Sequence, residues 1–304
     1  MSAWLLEPAP QEAPGLVLRR LLEREAVVVA PGVFSPLAAV VARRVGFEAL
    51  YVSGATFSAS LALPDLGVFT LTELADFVRR TYRACGLPLV VDADVGFGET
   101  LNVVAAVREL EWAGAAAVQL EDQPMPKKCG HLAGKSVVPP DEMARKVAAA
   151  ASARAHALIV ARTDARAVEG LDGAVRRALL YREAGAAGVF PEALESEAEF
   201  SEFARRVGGW LVANMTEFGR SPNLPARRLG ELGYKLVIFP VTALRAAMRA
   251  VEEVLQILHR EGTQAGVLDR LQTRAELYDR IGYHCYEAWD AELARRFRQG
   301  GDPA

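Results

Sequence analysis

Eight short runs of β-branched and aliphatic residues recur along the chain, each separated from the next by a stretch long enough for a helix. They are Ala26–Ala30, Ala49–Ser53, Leu87–Asp92, Ala117–Glu121, Ala157–Arg162, Ala187–Phe190, Trp210–Asn214 and Lys235–Phe239. Their apolar residues are near-continuous instead of alternating, the pattern of strands covered on both faces. That predicts a parallel sheet. Amphipathic helical patterns over Pro36–Arg44, Thr72–Cys85, Thr100–Ala113, Pro140–Ala155, Leu171–Ala184 and Glu197–Val207 fill the intervals. Gly46, Gly86, Gly114 and Gly185 stand where left-handed helix stops are needed before the next strand. Repeated βα units of this kind predict an α/β fold, a TIM (β/α)8 barrel, with an open doubly wound sheet as the alternative.

The chain has 304 residues, 51% of them hydrophobic, enough to fill a large core. With 35 Lys and Arg against 38 Asp and Glu, and the two signs interleaved, no basic stripe suits a nucleic-acid backbone. No apolar run approaches the roughly 20 residues that span a bilayer. Met1–Gly15 has no basic segment leading into an apolar one, so a cytoplasmic location is expected. Cys85, Cys129 and Cys285 are an odd number with no Cys-x-x-Cys, which reads as reduced thiols. Without a composition shift, residues 1–304 are expected to form one barrel domain, with 1–16 as an N-terminal arm and 243–300 as extra C-terminal helices. The long pattern Ala243–Arg260 and its continuation Leu268–Phe297 exceed what a barrel needs and predict a homo-oligomer.

In such a barrel the chemistry sits at the C-terminal ends of the strands. Those ends are Ser53-Gly54-Ala55, Asp92-Ala93-Asp94, Glu121-Asp122, Arg162-Thr163-Asp164, Glu192 and Asn214-Met215-Thr216. Asp92 and Asp94, two apart on an extended strand, would face the same way and repel unless a cation lies between them. Oxygen-only ligation, with Glu121 adjacent, favours Mg2+, with Mn2+ possible. The competing reading has one Asp capping a helix and the other pairing with Arg162. After the fourth run, Gln123–Lys135 gathers Cys129 with Lys127, Lys128, His131 and Lys135, a loop long enough for a lid. Cations near a thiol lower its pKa from about 8.5 toward neutrality, where a general acid or base works best. Gly130–Ser136 is not a phosphate-binding loop, because its glycines are one residue too close. His156, His259 and His284 have no ligand spacing and read as structural.

Val91-Asp-Ala-Asp-Val-Gly-Phe-Gly98, Glu121-Asp-Gln, Lys127-Lys-Cys-Gly-His131 and Arg162-Thr-Asp-Ala together resemble the isocitrate lyase/phosphoenolpyruvate mutase superfamily, from about Val28 to Asp290. The Cys-bearing loop is similar to that of the superfamily's lyases. The resemblance implies a helix-swapped barrel, dimeric or tetrameric, that cleaves a small tricarboxylate to pyruvate and succinate by retro-aldol chemistry with Mg2+. It further implies metal ligands Asp92 and Asp94, and catalytic residues Cys129, His131, Lys127, Glu121 and Asp65, with Cys129 as proton donor. Ser53, Gly54, Ala55, Cys129, Gly130, Arg162, Glu192, Asn214, Thr216, Arg245 and Arg274 are the implied substrate-binding set, Arg162 as a bidentate carboxylate clamp. A Schiff-base aldolase is disfavoured because no strand end carries a lysine. A non-catalytic barrel would show no metal dependence.

Overall fold

A computed structural model describes residues 3–8, 10–132 and 134–298. The ends of the expected domain, and Ala133 in the Cys129 loop, lie outside the described residues. Eight parallel strands run β1 Val28–Pro31, β2 Leu50–Val52, β3 Leu89–Asp92, β4 Ala115–Glu121, β5 Leu158–Thr163, β6 Gly188–Pro191, β7 Trp210–Asn214 and β8 Leu236–Phe239. From β2 to β8 each strand pairs with its sequence neighbour, and β8 pairs with β1. A single parallel bridge, Gly32 to Tyr51, closes the remaining seam. The expected (β/α)8 barrel is therefore what forms. Strand bounds move by up to two residues from those expected, chiefly because sheet pairing, not apolarity, decides where a strand starts.

Among the described residues twelve α-helices accompany the strands: α1 Pro14–Glu23, α2 Pro36–Val45, α3 Gly54–Ser60, α4 Leu71–Cys85, α5 Thr100–Ala113, α6 Pro140–Ala153, α7 Arg166–Glu183, α8 Glu197–Val207, α9 Ala226–Glu231, α10 Thr242–Glu261, α11 Arg274–Ile281 and α12 Tyr283–Arg298. Gly46 and Gly114 end α2 and α5 at φ 109° and 108°, the left-handed stops read from sequence. The helical continuation expected over Leu268–Phe297 is a 3-10 turn and two helices, parted at Gly282 where φ is 69°. No described helix is long and apolar enough to cross a membrane.

Strand residues face two cores, which is why the runs are apolar throughout. Between strands and helices lie residues such as Val91, Val118, Ile159, Val189 and Val237. Inside the barrel lie Tyr51, Val90, Ala117, Leu158, Phe190, Val212 and Ile238, met from below by Leu18, Leu21 and Leu22 of α1. The N-terminal segment is thus not simply an arm: from Pro14 it is a helix that seals the barrel floor. Each such leucine, fully buried, stabilises by about 1.5–3 kcal/mol. Gly15 allows the approach, since a Cβ there would lie 2.1 Å from the His156 carbonyl oxygen.

Candidate active site

At the open end of the barrel, β3 stops at Asp92 and the backbone turns through Asp94 (φ 47°), Gly96 (89°) and Phe97 (61°). Asp92 and Asp94 do not share an extended strand, which corrects the route by which they were paired. A left-handed residue swings Asp94 back toward Asp92 instead. Asp92 is anchored on all sides: Oδ1 accepts from Asp94 N at 3.2 Å and Gln119 Nε2 at 3.0 Å, and Oδ2 from Gly54 N at 3.1 Å. Tyr51 in turn donates to Gln119 Oε1 at 2.9 Å and fixes that amide.

Asp94 and Glu121 are equally buried, yet their carboxylate oxygens accept no hydrogen bond. Each has only an ion pair, Asp94 with Lys127 at 2.9 Å and Glu121 with Arg162 at 3.1 Å. Burial first, then Asp92, pushes Asp94 up to about 7 against the pull of Lys127. Burial also drives Glu121 well above the carboxylate range, although Arg162 opposes it. Oxygens of Asp92, Asp94 and Glu121 lie within 4.8 Å of one another. Orphaned buried carboxylates converging with oxygen donors only are the environment of a hard divalent cation, so these residues fit Mg2+ or Mn2+. Gly54 must stay small, since its Cβ would stand 2.8 Å from Asp94 Oδ1.

Arg162, from the end of β5, is the hub of the opposite wall. It pairs with Glu121, with Asp164 at 3.0 Å and with Glu192 at 3.3 Å. Neither Asp of the carboxylate cluster pairs with it. A guanidinium so engaged meets a substrate carboxylate bidentately only by releasing a protein partner. Glu192 would be raised by burial, but Arg162, then His131 and Lys135, outweigh this and hold it at about 2. His131 Nδ1 accepts from Arg220 N at 3.0 Å, so its proton belongs on Nε2, which faces Glu192 Oε1 at 3.1 Å. Asn214 Nδ2 reaches both Glu192 oxygens at 3.4 Å.

The Cys129 loop lies over these groups. A Cβ on Gly130 would fall 2.3 Å from Glu192 Cγ and 2.5 Å from Arg162 Nη2, so this backbone is seated directly on them. Its lysines do not serve the thiol as expected. Lys127 is buried and pairs with Asp65 and Asp94, while Lys128 reaches the Gly134 carbonyl and Lys135 reaches Asp164. Because acids consume the cations, burial dominates and the Cys129 thiol is raised, not lowered; Asp65 and Glu192 raise it further while Arg162 opposes. That reverses the expectation from loop composition.

Ser53 caps α3 through Thr56 N, with Gly54 and Ala55 behind it. Thr216 stands where a Gly219 Cβ would also meet His131, so the turn after β7 backs onto the loop. Two expected residues stand apart. Arg245 on α10 bonds Glu217 and lies over Phe218, and Arg274 is an exposed residue opening α11 that joins none of the cluster's ion pairs. His156 sits 3.6 Å from Glu111 at the barrel floor and His284 pairs with Glu287, so neither joins the ion pairs of the carboxylate cluster. Sequence reasoning gave no role to Gln119, Gln123, Asp122 or Tyr51; polar residues within or just after apolar runs are the signal that marks them.

The family described as phosphoenolpyruvate phosphomutase matches residues 18–259. This chain belongs to that family, the phosphoenolpyruvate mutase/isocitrate lyase superfamily of barrel enzymes. It is an enzyme of the lyase class: it is 58% identical over 287 residues to the 2-methylisocitrate lyase of Aeropyrum pernix, covering 94% of this chain and 93% of that one. A crystal structure of 2,3-dimethylmalate lyase superposes with TM-score 0.88 at 33% identity, covering 97% of this chain and 100% of that chain. A phosphonopyruvate hydrolase crystallised with oxalate and Mg2+ superposes at 0.84 with 31% identity, covering 92% and 99%.

Proposed function

We propose that this chain cleaves 2-methylisocitrate to pyruvate and succinate, with Mg2+ as its cofactor, in the methylcitrate cycle of propionate catabolism. The observation that carries the reading is the Lys-Lys-Cys-Gly-His loop seated by Gly130 on Arg162 and Glu192, beside a buried trio of carboxylates. A divalent cation bound by Asp92, Asp94 and Glu121 would supply Lewis-acid polarisation of the substrate hydroxyl. A base accepts that hydroxyl's proton, the carbon–carbon bond breaks to form the pyruvate carbonyl, and the bond's electron pair stays on the succinate carbon. Cys129 Sγ gives that carbon its proton. A thiol raised by burial is protonated at neutral pH, the form a donor needs. His131 and Asn214 hold Glu192, and Lys127 holds Asp65, so the walls stay fixed. Loop and buried walls exclude water from the carbanion.

Product analysis with 2-methylisocitrate, isocitrate, 2,3-dimethylmalate and oxaloacetate side by side, with and without EDTA, tests this. Pyruvate with succinate from the first substrate, abolished by EDTA and restored by Mg2+, is expected. Turnover indifferent to EDTA, or preference for another of the four, would replace the reading. We further place the protein in the cytoplasm as a homo-oligomer, dimer or tetramer. Its unpaired cysteines support the first. Supporting the second, α10 buries only Leu244 while Met248, Val251 and Leu255 line an open groove of about 490 Å3, and α11 and α12 bury nothing. Light scattering on the intact chain and on Leu255→Asp should show an oligomer that the charge weakens; a monomeric parent chain would remove this part.

A further inference from the structure

The peptide that carries Cys129 is gripped on both sides by side chains outside the thiol's immediate neighbours. On the upstream side, the Gln123 amide makes two bonds to one residue: Nε2 donates to Lys128 O at 2.8 Å and Oε1 accepts from Lys128 N at 3.1 Å. This reproduces the pairing of a neighbouring strand. Downstream, Lys135 Nζ donates to the carbonyl of Gly130 and to Asp164 Oδ1, the latter at 2.6 Å. The Lys135 and Asp164 side chains are 1% and 0% exposed. Burying an ammonium costs several kcal/mol unless its partners are in place, so the position of Lys135 is strictly set.

Asp164 is itself held by a buried network. Its N–H donates to Asp122 Oδ1 at 2.8 Å, and Asp122 Oδ2 receives Thr163 Oγ1 and the Tyr181 hydroxyl at 2.7 and 2.9 Å. Arg177 ties Tyr181 and the Val138 carbonyl together at 3.1 and 2.8 Å. Arg162 already supplies Asp164 with two donors, at 3.0 and 3.2 Å, so neutralising Asp164 does not account for Lys135. Its other bond, to a main-chain carbonyl one residue from the thiol, does.

We propose that Gln123 and Lys135 are positioning residues that clamp the Lys128–Gly130 peptide and thereby hold the Cys129 thiol over the carboxylate cluster. Lys135 transmits the rigidity of the β5–α7 network, through Asp164, to a loop that has no regular secondary structure of its own. The kinetic consequence rests on Cys129 being the proton donor proposed above; the placement of the thiol does not.

Two measurements separate those layers. In a Cys285→Ser background, where Cys85 is buried with its thiol pushed up to about 11, alkylation by iodoacetamide reads Cys129. Rates taken across pH, corrected for the thiolate fraction, should rise about 10-fold in Lys135→Met and in Gln123→Ala as the peptide is released. Steady-state turnover of 2-methylisocitrate should lose about 10- to 100-fold in kcat with less change in KM, the scale for misplacing a reacting group by an ångström. The Kd for Mn2+ should not move. Far-ultraviolet circular dichroism and thermal melts qualify each variant, and Gln123→Ala reads the clamp even if Lys135→Met does not fold. Corrected alkylation rates within twofold of the parent in a folded variant overturn the proposal, as does a Mn2+ Kd that weakens in step with kcat. If the parent chain does not turn over 2-methylisocitrate, the proposed function fails while alkylation still decides the clamp.

Discussion

Replacing Gly130 by alanine puts the seating of the Cys129 loop under direct strain. The added methyl would meet Glu192 Cγ at 2.3 Å, Arg162 Nη2 at 2.5 Å and Glu192 Cδ at 2.6 Å. Ordinary contact needs about 3.5–4.0 Å. Neither neighbour can yield cheaply, because Glu192 is 2% exposed and held by Arg162, His131 and Asn214, and Arg162 is pinned by three carboxylates. The loop must therefore lift. Overpacking of this kind costs about 1–3 kcal/mol. Charged against the seated state, and with about 1.4 kcal/mol per factor of ten, that predicts a loss of roughly 5- to 140-fold in kcat/KM. The melting temperature should hardly change, because lifting a surface loop relieves the clash without disturbing either core. Following pyruvate through lactate dehydrogenase gives the rate, and a thermal melt gives the control. A Gly130→Ala enzyme within twofold of the parent would refute the reasoning, since it would mean that turnover does not use the seated loop.

Cys129→Ser should lose about 10^2- to 10^4-fold in kcat while isothermal titration finds Mg2+ binding intact; normal turnover removes Cys129 as the donor. Asp92→Asn should weaken Mg2+ by about 10-fold or more, and an unchanged titration would exclude Asp92 from the cation site. At the barrel floor, Glu111 accepts the N–H groups of Ala155, His156 and Ala157. Burial would raise its carboxyl, but the Ala157, Ala155 and His156 donors outweigh it and lower it. A lowered carboxyl contributes stability above its unfolded pKa and loses it as pH falls through the folded one. Glu111→Gln should therefore cost about 1.5–3 kcal/mol near pH 7 in urea unfolding, a deficit that shrinks in acid; a deficit independent of pH would contradict this.

Much of this protein is local and was legible as such. Apolar runs at βα spacing specify a barrel because every strand is covered twice, and the acids just past those runs mark the working end. Gly46 and Gly114 announce helix stops because a left-handed backbone conformation is a property of the residue itself. The membership of Asp92, Asp94 and Glu121 in one cluster followed from their strand ends alone. Their geometry did not, since the approach of Asp94 depends on a turn that β-periodicity cannot express.

Only the tertiary structure decided which charges neutralise which. Sequence adjacency placed four cations around Cys129, but in space Lys127 belongs to Asp65 and Asp94, and Lys135 to Asp164. Arg162, open to a substrate in a linear reading, is committed to Glu121, Asp164 and Glu192. Pro14–Glu23, read as arm only as far as residue 16 and left unassigned beyond it, is the plug of the barrel. Periodicity and turn propensity act over a few residues, so they are written in order along the chain. Coulomb attraction and desolvation depend on distance and burial in three dimensions, so the thiol's protonation and the loop's anchoring exist only once remote segments have met.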